Sequence, residues 1–162
     1  MEKPTDLVEF ETMVLMRHGY FYKNQATADN RLLDRSAYVL LRRIQLDGPM
    51  SISQLSEALG LDVSTLNRQT ASMLKSGLVT RIPDPDGGIA RKFRLSEEGS
   101  ARVDEHREVN NRGLERVLEN WTAEEVAEFA AALARFNGDI ERLEKRRWPR
   151  PGVDPEHCGA DD

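Results

Sequence analysis

Between Ser64 and Lys75 the sequence STLNRQTASMLK interleaves two kinds of residue at helical spacing. At about 100° per residue, Leu66, Thr70, Met73 and Leu74 fall on one side. Ser64, Arg68, Ser72 and Lys75 fall on the other, with Thr65 beside them and Asn67 and Gln69 on its two borders. Short hydroxyls, carboxamides and a guanidinium on one helix face are the groups that can read base edges in a DNA groove. Arg68 can fork onto guanine O6 and N7, and Asn67 and Gln69 suit adenine. Ser64 and Thr65 suit base edges or phosphates, Lys75 suits a phosphate, and Ser72 shares the DNA-facing side. A solvated helix face with no ligand is the other reading of the same pattern.

What flanks this helix bears on the choice. Ser53 can cap a short helix running through Leu59, in which Ile52, Leu55, Ala58 and Leu59 are apolar and Gly60 provides the turn. Asp62 can cap the next helix, which Gly77 ends. Leu78 to Ile82 and Arg91 to Leu95 then read as two strands joined by Pro83-Asp84-Pro85-Asp86-Gly87-Gly88. Two short helices followed at once by a charged hairpin are the order of a winged helix-turn-helix. At the wing tip Gly87, Gly88 and Ile89 offer no donor side chain. Arg91 is the first cation past them and can reach a minor groove, with Lys92 and Arg94 open to phosphates. The bland alternative is a wing that only packs on the backbone.

The remaining elements are helical. Leu7 to about Ala26 reads as a helix with two apolar stripes, Leu7, Phe10, Val14 and Phe21 on one and Val8, Leu15 and Tyr22 on the other, so it needs two neighbours. A second helix runs from near Asp34, its N-cap, to Leu46, with Ala37, Leu40, Leu41 and Ile44 on its core face, and Asp47-Gly48-Pro49 stops it. After Leu95 the chain is helical, and Thr122-Ala123-Glu124-Glu125 is a capping box that opens a last helix. That helix carries Val126, Phe129, Ala130, Leu133, Phe136, Ile140 and Leu143 on a stripe too broad for one small domain to cover. The expected fold is mainly α with a small β-hairpin wing. Its parts are an N-terminal dimerisation helix over 1–30, the winged helix-turn-helix over 31–98, C-terminal dimerisation helices over 99–147, and a loose tail over 148–162. Leu7, Phe10, Val14, Val126, Phe129, Leu133, Phe136 and Ile140 are the expected dimer contacts.

Composition sets bounds on function. The 162 residues, 39% hydrophobic and 31% charged, suffice for a core without staples, and the one cysteine, Cys158, excludes an intramolecular disulfide. Met1 is followed by an acidic segment without a signal pattern, and no apolar run approaches the roughly 20 residues of a membrane span. A cytoplasmic protein is the expectation. The net charge of −5 is unevenly spread: Arg31 to Leu95 carries ten Lys or Arg against six Asp or Glu, and Ser96 to Arg146 eight against thirteen. The middle is thus basic enough to meet phosphates. His18, His106 and His157 are scattered, and no nucleophile triad, carboxylate pair or phosphate loop stands out, so no enzyme and no cofactor are expected. His157 and Cys158, adjacent in the tail, are poor chelators, and no metal site is expected.

The residues together resemble the MarR family of bacterial transcriptional regulators. The likeness spans about Leu7 to Arg146. It rests on the Leu55 to Leu59 helix, Ser64-Thr65 with Arg68, Lys75-Ser76-Gly77-Leu78-Val79, Asp84-Pro85, and Leu95-Ser96-Glu97-Glu98-Gly99. The resemblance implies a homodimer with intertwined first and last helices, two winged domains on one palindromic operator, and often a small aromatic effector that releases DNA. The family's usual wing-tip arginine is missing. The region that holds the sensor cysteine of peroxide-sensing members has none. Met16, His18, Tyr20, Phe21, Tyr22 and Tyr38 gather near the family's ligand region and can line an effector pocket, or they can be plain packing. A winged-helix protein-interaction module with weak DNA binding is the alternative to a DNA-binding repressor.

Overall fold

The computed structural model describes residues 3–19 and 32–151. The chain divides into two units between Leu32 and Leu33. The first contains α1 (Thr5–Arg17), which ends at Arg17 with His18 as its extended C-cap, short of the Ala26 expected from its apolar spacing. Tyr20 to Ala26 lie outside the described residues. Helix α1 buries no residue: Leu7, Phe10, Leu15 and Met16 are more than half exposed, and Val14 is half-buried.

The second unit begins with α2 (Arg35–Asp47), α3 (Ile52–Leu59) and α4 (Val63–Lys75). The antiparallel strands β1 (Val79–Ile82) and β2 (Lys92–Leu95) follow, then α5 (Glu97–Val117) and α6 (Ala123–Glu144). Each helix start has a local cause. Asp34 accepts the Ala37 N–H at 2.8 Å, and Ser96 accepts that of Gly99 at 2.9 Å. At α6, Thr122 and Glu125 form the expected capping box, with N–H donors at 2.8 and 3.2 Å. The cap of α3 is Ser51 and not Ser53: Ser51 and Gln54 exchange bonds of 2.9 and 3.2 Å in a box two residues earlier than expected. Gly60 then turns the chain at φ +66°, where a β-carbon would be strained and would also strike the Arg146 guanidinium.

The helices bury one face each. Leu40, Leu41 and Ile44 of α2 meet Leu55 of α3, Leu66 and Met73 of α4, Val79 and Phe93 of the hairpin, and Val103 of α5 in a single core. Each fully buried leucine contributes about 1.5–3 kcal/mol relative to exposure. The strands pair Val79 with Leu95 and Ile82 with Lys92, and Met50 adds a one-residue bridge to Phe93 that the spacing did not reveal. Helix α6 is different: it buries no residue in this chain.

One sequence expectation is reversed at the C-terminal end. Trp148, read as the start of a loose tail, is docked: the Arg43 guanidinium lies 4.9 Å from its ring centroid and donates to the Arg147 carbonyl at 3.0 Å. Glu141 accepts the Trp148 N–H at 3.0 Å and pairs with Arg150 at 2.5 Å. Lys145, at φ +55°, turns the chain back for this return. The half-buried tryptophan ring and the buried Arg43 guanidinium satisfy each other, which tail composition alone cannot show. Residues 152–162, with His157 and Cys158, lie outside the described residues.

Candidate nucleic-acid interface

Helix α4 is fixed from inside. Leu66, Thr70 and Met73 are buried, and the Thr70 hydroxyl donates back to the Leu66 carbonyl at 2.8 Å. The opposite face stays in solvent: Ser64, Asn67, Arg68, Ser72 and Lys75 are exposed and Thr65 is half-buried. Gln69 departs from its expected border position. It follows buried Leu66 by three residues and precedes buried Met73 by four, so its stem lies on the inner side, and its carboxamide oxygen is buried with no hydrogen-bond partner among the described residues.

Asp62 organises the start of this helix. It accepts the Ser64 hydroxyl at 2.5 Å, the Thr65 N–H at 2.7 Å and the Thr65 hydroxyl at 2.9 Å. These donors, the Ser64 hydroxyl foremost, bring its pKa down to about 2. The two hydroxyls expected to face a ligand are thus also cap donors, and what they leave outward is acceptor capacity.

The wing carries a correction. Lys92, expected to be open to phosphates, is buried, with its ammonium 3.1 Å from Asp84 and 3.8 Å from Asp86. Two carboxylates eight and six residues upstream draw it inward, an attraction that a strand pattern does not encode. Asp84 also accepts the Asp86 N–H at 2.9 Å, and this bond and Lys92 hold its carboxyl below the usual range. A β-carbon on Gly88 would overlap the Asp84 carboxylate, and Gly87 sits at φ +82°. The two glycines therefore serve a turn wrapped around Asp84, not a loop left free to bend. Arg91 and Arg94 remain exposed on the outside of this turn. Arg81, exposed on β1 with its guanidinium 5.5 Å from the Phe93 ring centroid, is a further wing cation that motif and spacing did not single out. The signal that could have found it is a lone arginine in an otherwise uncharged strand.

The residues selected for an effector pocket fare unevenly. Tyr38 packs against the core and stacks on His106 of α5, ring centroids 4.2 Å apart and 20° from parallel. Burial pushes the His106 imidazole below its ordinary pKa. Met16 and His18 are exposed on their own unit, and Tyr20 and Phe21 lie outside the described residues. An open groove of about 730 Å³ in the second unit is lined by other residues, among them Val39, Leu59, Leu61 and Trp148 with charges of both signs such as Arg146 and Glu144. Among the described residues no cluster of His, Cys, Asp and Glu could hold a metal ion.

The comparisons with known proteins agree with this architecture. The family model described as the MarR family matches residues 33–87, from the start of the core to the wing tip. YxaD of Bacillus subtilis (strain 168), described as an uncharacterized HTH-type transcriptional regulator, is 30% identical over 136 residues, covering 84% of this chain and 94% of that protein. A MarR family protein from Bacillus stearothermophilus superimposes with a TM-score of 0.70 at 22% identity, over 86% of this chain and 99% of that one. The organohalide-sensing regulator RdhR-CbdbA1625, solved in a 2,4-dichlorophenol-bound form, does so with a TM-score of 0.63 at 17% identity, over 87% and 84%. With two capped helices, a carboxylate-centred wing and a relative matching along most of its length, the chain belongs to the MarR family of winged-helix transcriptional regulators.

Proposed function

We propose that the chain is a homodimeric, cytoplasmic transcriptional repressor that binds a palindromic operator through α4 and the wing and is released by a small aromatic effector. The observation that carries this reading is the exposed face of α4. Ser64, Asn67, Arg68, Ser72 and Lys75 stand outward on a helix held from behind by Leu66, Thr70 and Met73. Arg68 takes the guanine-reading role, Asn67 that of adenine and Ser72 a base edge or phosphate, while Ser64 and Thr65, whose hydroxyl protons go to Asp62, accept from base amino groups. Lys75 and Arg94 take phosphates, and Arg91 takes the minor-groove side of the wing. Gln69 and Lys92 act from within, Gln69 under the helix and Lys92 under the wing turn.

Dimer formation is supported by apolar surface that one chain leaves in water. On α6, Phe129, Leu133, Phe136 and Ile140 are 39–49% exposed, with half-buried Val126 at the head of the stripe. Leu7 and Phe10 of α1 are still more exposed. A self-complementary two-fold interface covers such a stripe, and its symmetry matches a palindrome. The effector is supported by the phenol-bound form of the organohalide sensor. Among the described residues no helix is long and apolar enough to cross a membrane.

The test is selection of duplexes from a random library with the full-length protein, followed by footprinting and a salt titration. A repressor gives two footprinted half-sites about one DNA turn apart and an affinity that falls steeply with salt. No enriched sequence and weak, uniform binding would favour the protein-interaction module.

A further inference from the structure

Among the described residues, only two large apolar side chains are exposed outside α1 and the Leu114–Leu143 stretch: Val63 and Ile89. Val63 opens α4 and Ile89 crowns the wing, so both stand on the elements assigned to DNA. Ile89 is as exposed as in an extended peptide, at 104%. Its neighbours Gly87, Gly88 and Ala90 add almost no bulk, so it is the one sizeable side chain of the tip. The turn below it is tied down, with Asp84 holding the Asp86 N–H and the Lys92 ammonium and leaving no room for a side chain on Gly88. Lys92 is drawn inward by the same contacts, while Arg91 and Arg94 stay outside.

We infer that Ile89 is a wedge that enters the minor groove beside the Arg91 guanidinium and partly unstacks one base step, with Arg94 holding a phosphate. The inference rests on the operator-binding reading and adds how the wing selects sequence. An isoleucine has no donor for the groove floor, so it discriminates through the cost of opening a step, lowest at pyrimidine–purine steps such as TA. A branched apolar side chain fully in water before binding gains by leaving it. Its removal weakens binding about tenfold or more.

The experiment uses a duplex selected by the wild-type protein, with 2-aminopurine placed at successive positions under the wing. Binding of the wild type and of Ile89→Leu should raise the fluorescence at one pyrimidine–purine step in each half-site. Ile89→Ala should abolish that rise and bind about tenfold more weakly. Because Ile89 is fully exposed, the substitution leaves the fold intact. A wild-type complex with no fluorescence change at any position, and Ile89→Ala binding as tightly, would overturn the wedge while leaving operator binding in place. Unchanged DNA affinity with an altered sedimentation coefficient for Ile89→Ala would overturn it in favour of a protein contact. Failure to select any duplex would bring down the operator reading itself.

Discussion

Helices α4 and α6 are both closed at their N-termini by a side-chain cap, yet α4 buries Leu66, Thr70 and Met73 while α6, at 22 residues, buries none. The caps are alike because a cap needs only neighbours in sequence, Asp62 with Thr65 or Thr122 with Glu125. Burial differs because it needs a second surface. Helix α4 finds that surface in α2, α3 and the hairpin of its own chain and is left with one free polar face. Helix α6 carries its free face as an apolar stripe. In the proposed repressor the first free face meets DNA and the second meets another copy of the chain.

The largest effect is expected where that stripe is broken. Phe136→Ala should weaken self-association by about 2–4 kcal/mol, and Leu133→Asp with Phe136→Asp should give single chains at micromolar concentration by sedimentation. Unchanged sedimentation of the double variant would show that α6 does not carry the dimer. A smaller loss is expected at the C-terminal return. Trp148→Ala removes the ring over buried Arg43 and should lower stability by about 1–2 kcal/mol in thermal unfolding. A melting temperature equal to wild type would mean that the docked segment contributes nothing.

The wing offers a sharper division. Arg91→Ala should leave the melting temperature unchanged and weaken binding several-fold, mainly on operators with A·T-rich flanks. Lys92→Met should instead speed amide exchange in the Asp84–Gly88 turn, because it removes the ammonium that two carboxylates share. Identical behaviour of the two variants would erase the distinction between an outward and an inward wing cation. The mildest effect concerns pH. His106 has a lowered pKa in the folded chain, so below its ordinary value of 6.5 the unfolded chain takes up a proton that the folded chain resists. The stability tied to its neutral form is complete above pH 6.5 and declines as pH falls below it, and His106→Gln should flatten that part of the profile.

Most of the winged core was legible because its rules are local. Asp34, Asp62 and the Thr122-Glu125 box cap where their spacing says they should, and Leu40, Leu41, Ile44, Leu66 and Met73 face inward as their period requires. The α3 cap was legible too, since Ser51 and Gln54 have capping-box spacing, but the second serine at Ser53 obscured it. What could not be read was set by distant partners. Trp148 finds Arg43 about a hundred positions earlier in the chain, Met50 finds Phe93, and Lys92 is claimed by carboxylates across a loop. The exposed face of α4 was read almost whole from a helical wheel, and the two departures, Gln69 on that helix and Lys92 on the wing, are the polar groups that packing turned inward.

If the free face of α4 reads bases, Arg68 is the side chain whose loss must show it. Binding of wild type, Arg68→Ala and Lys75→Ala would be measured on a selected duplex and on a scrambled one across a salt series. Arg68→Ala should lose about 1–3 kcal/mol of discrimination between the two duplexes, while Lys75→Ala should weaken both alike and flatten the salt slope by about one. Equal losses for Arg68→Ala on selected and scrambled DNA would mean that this face grips phosphates and reads no base.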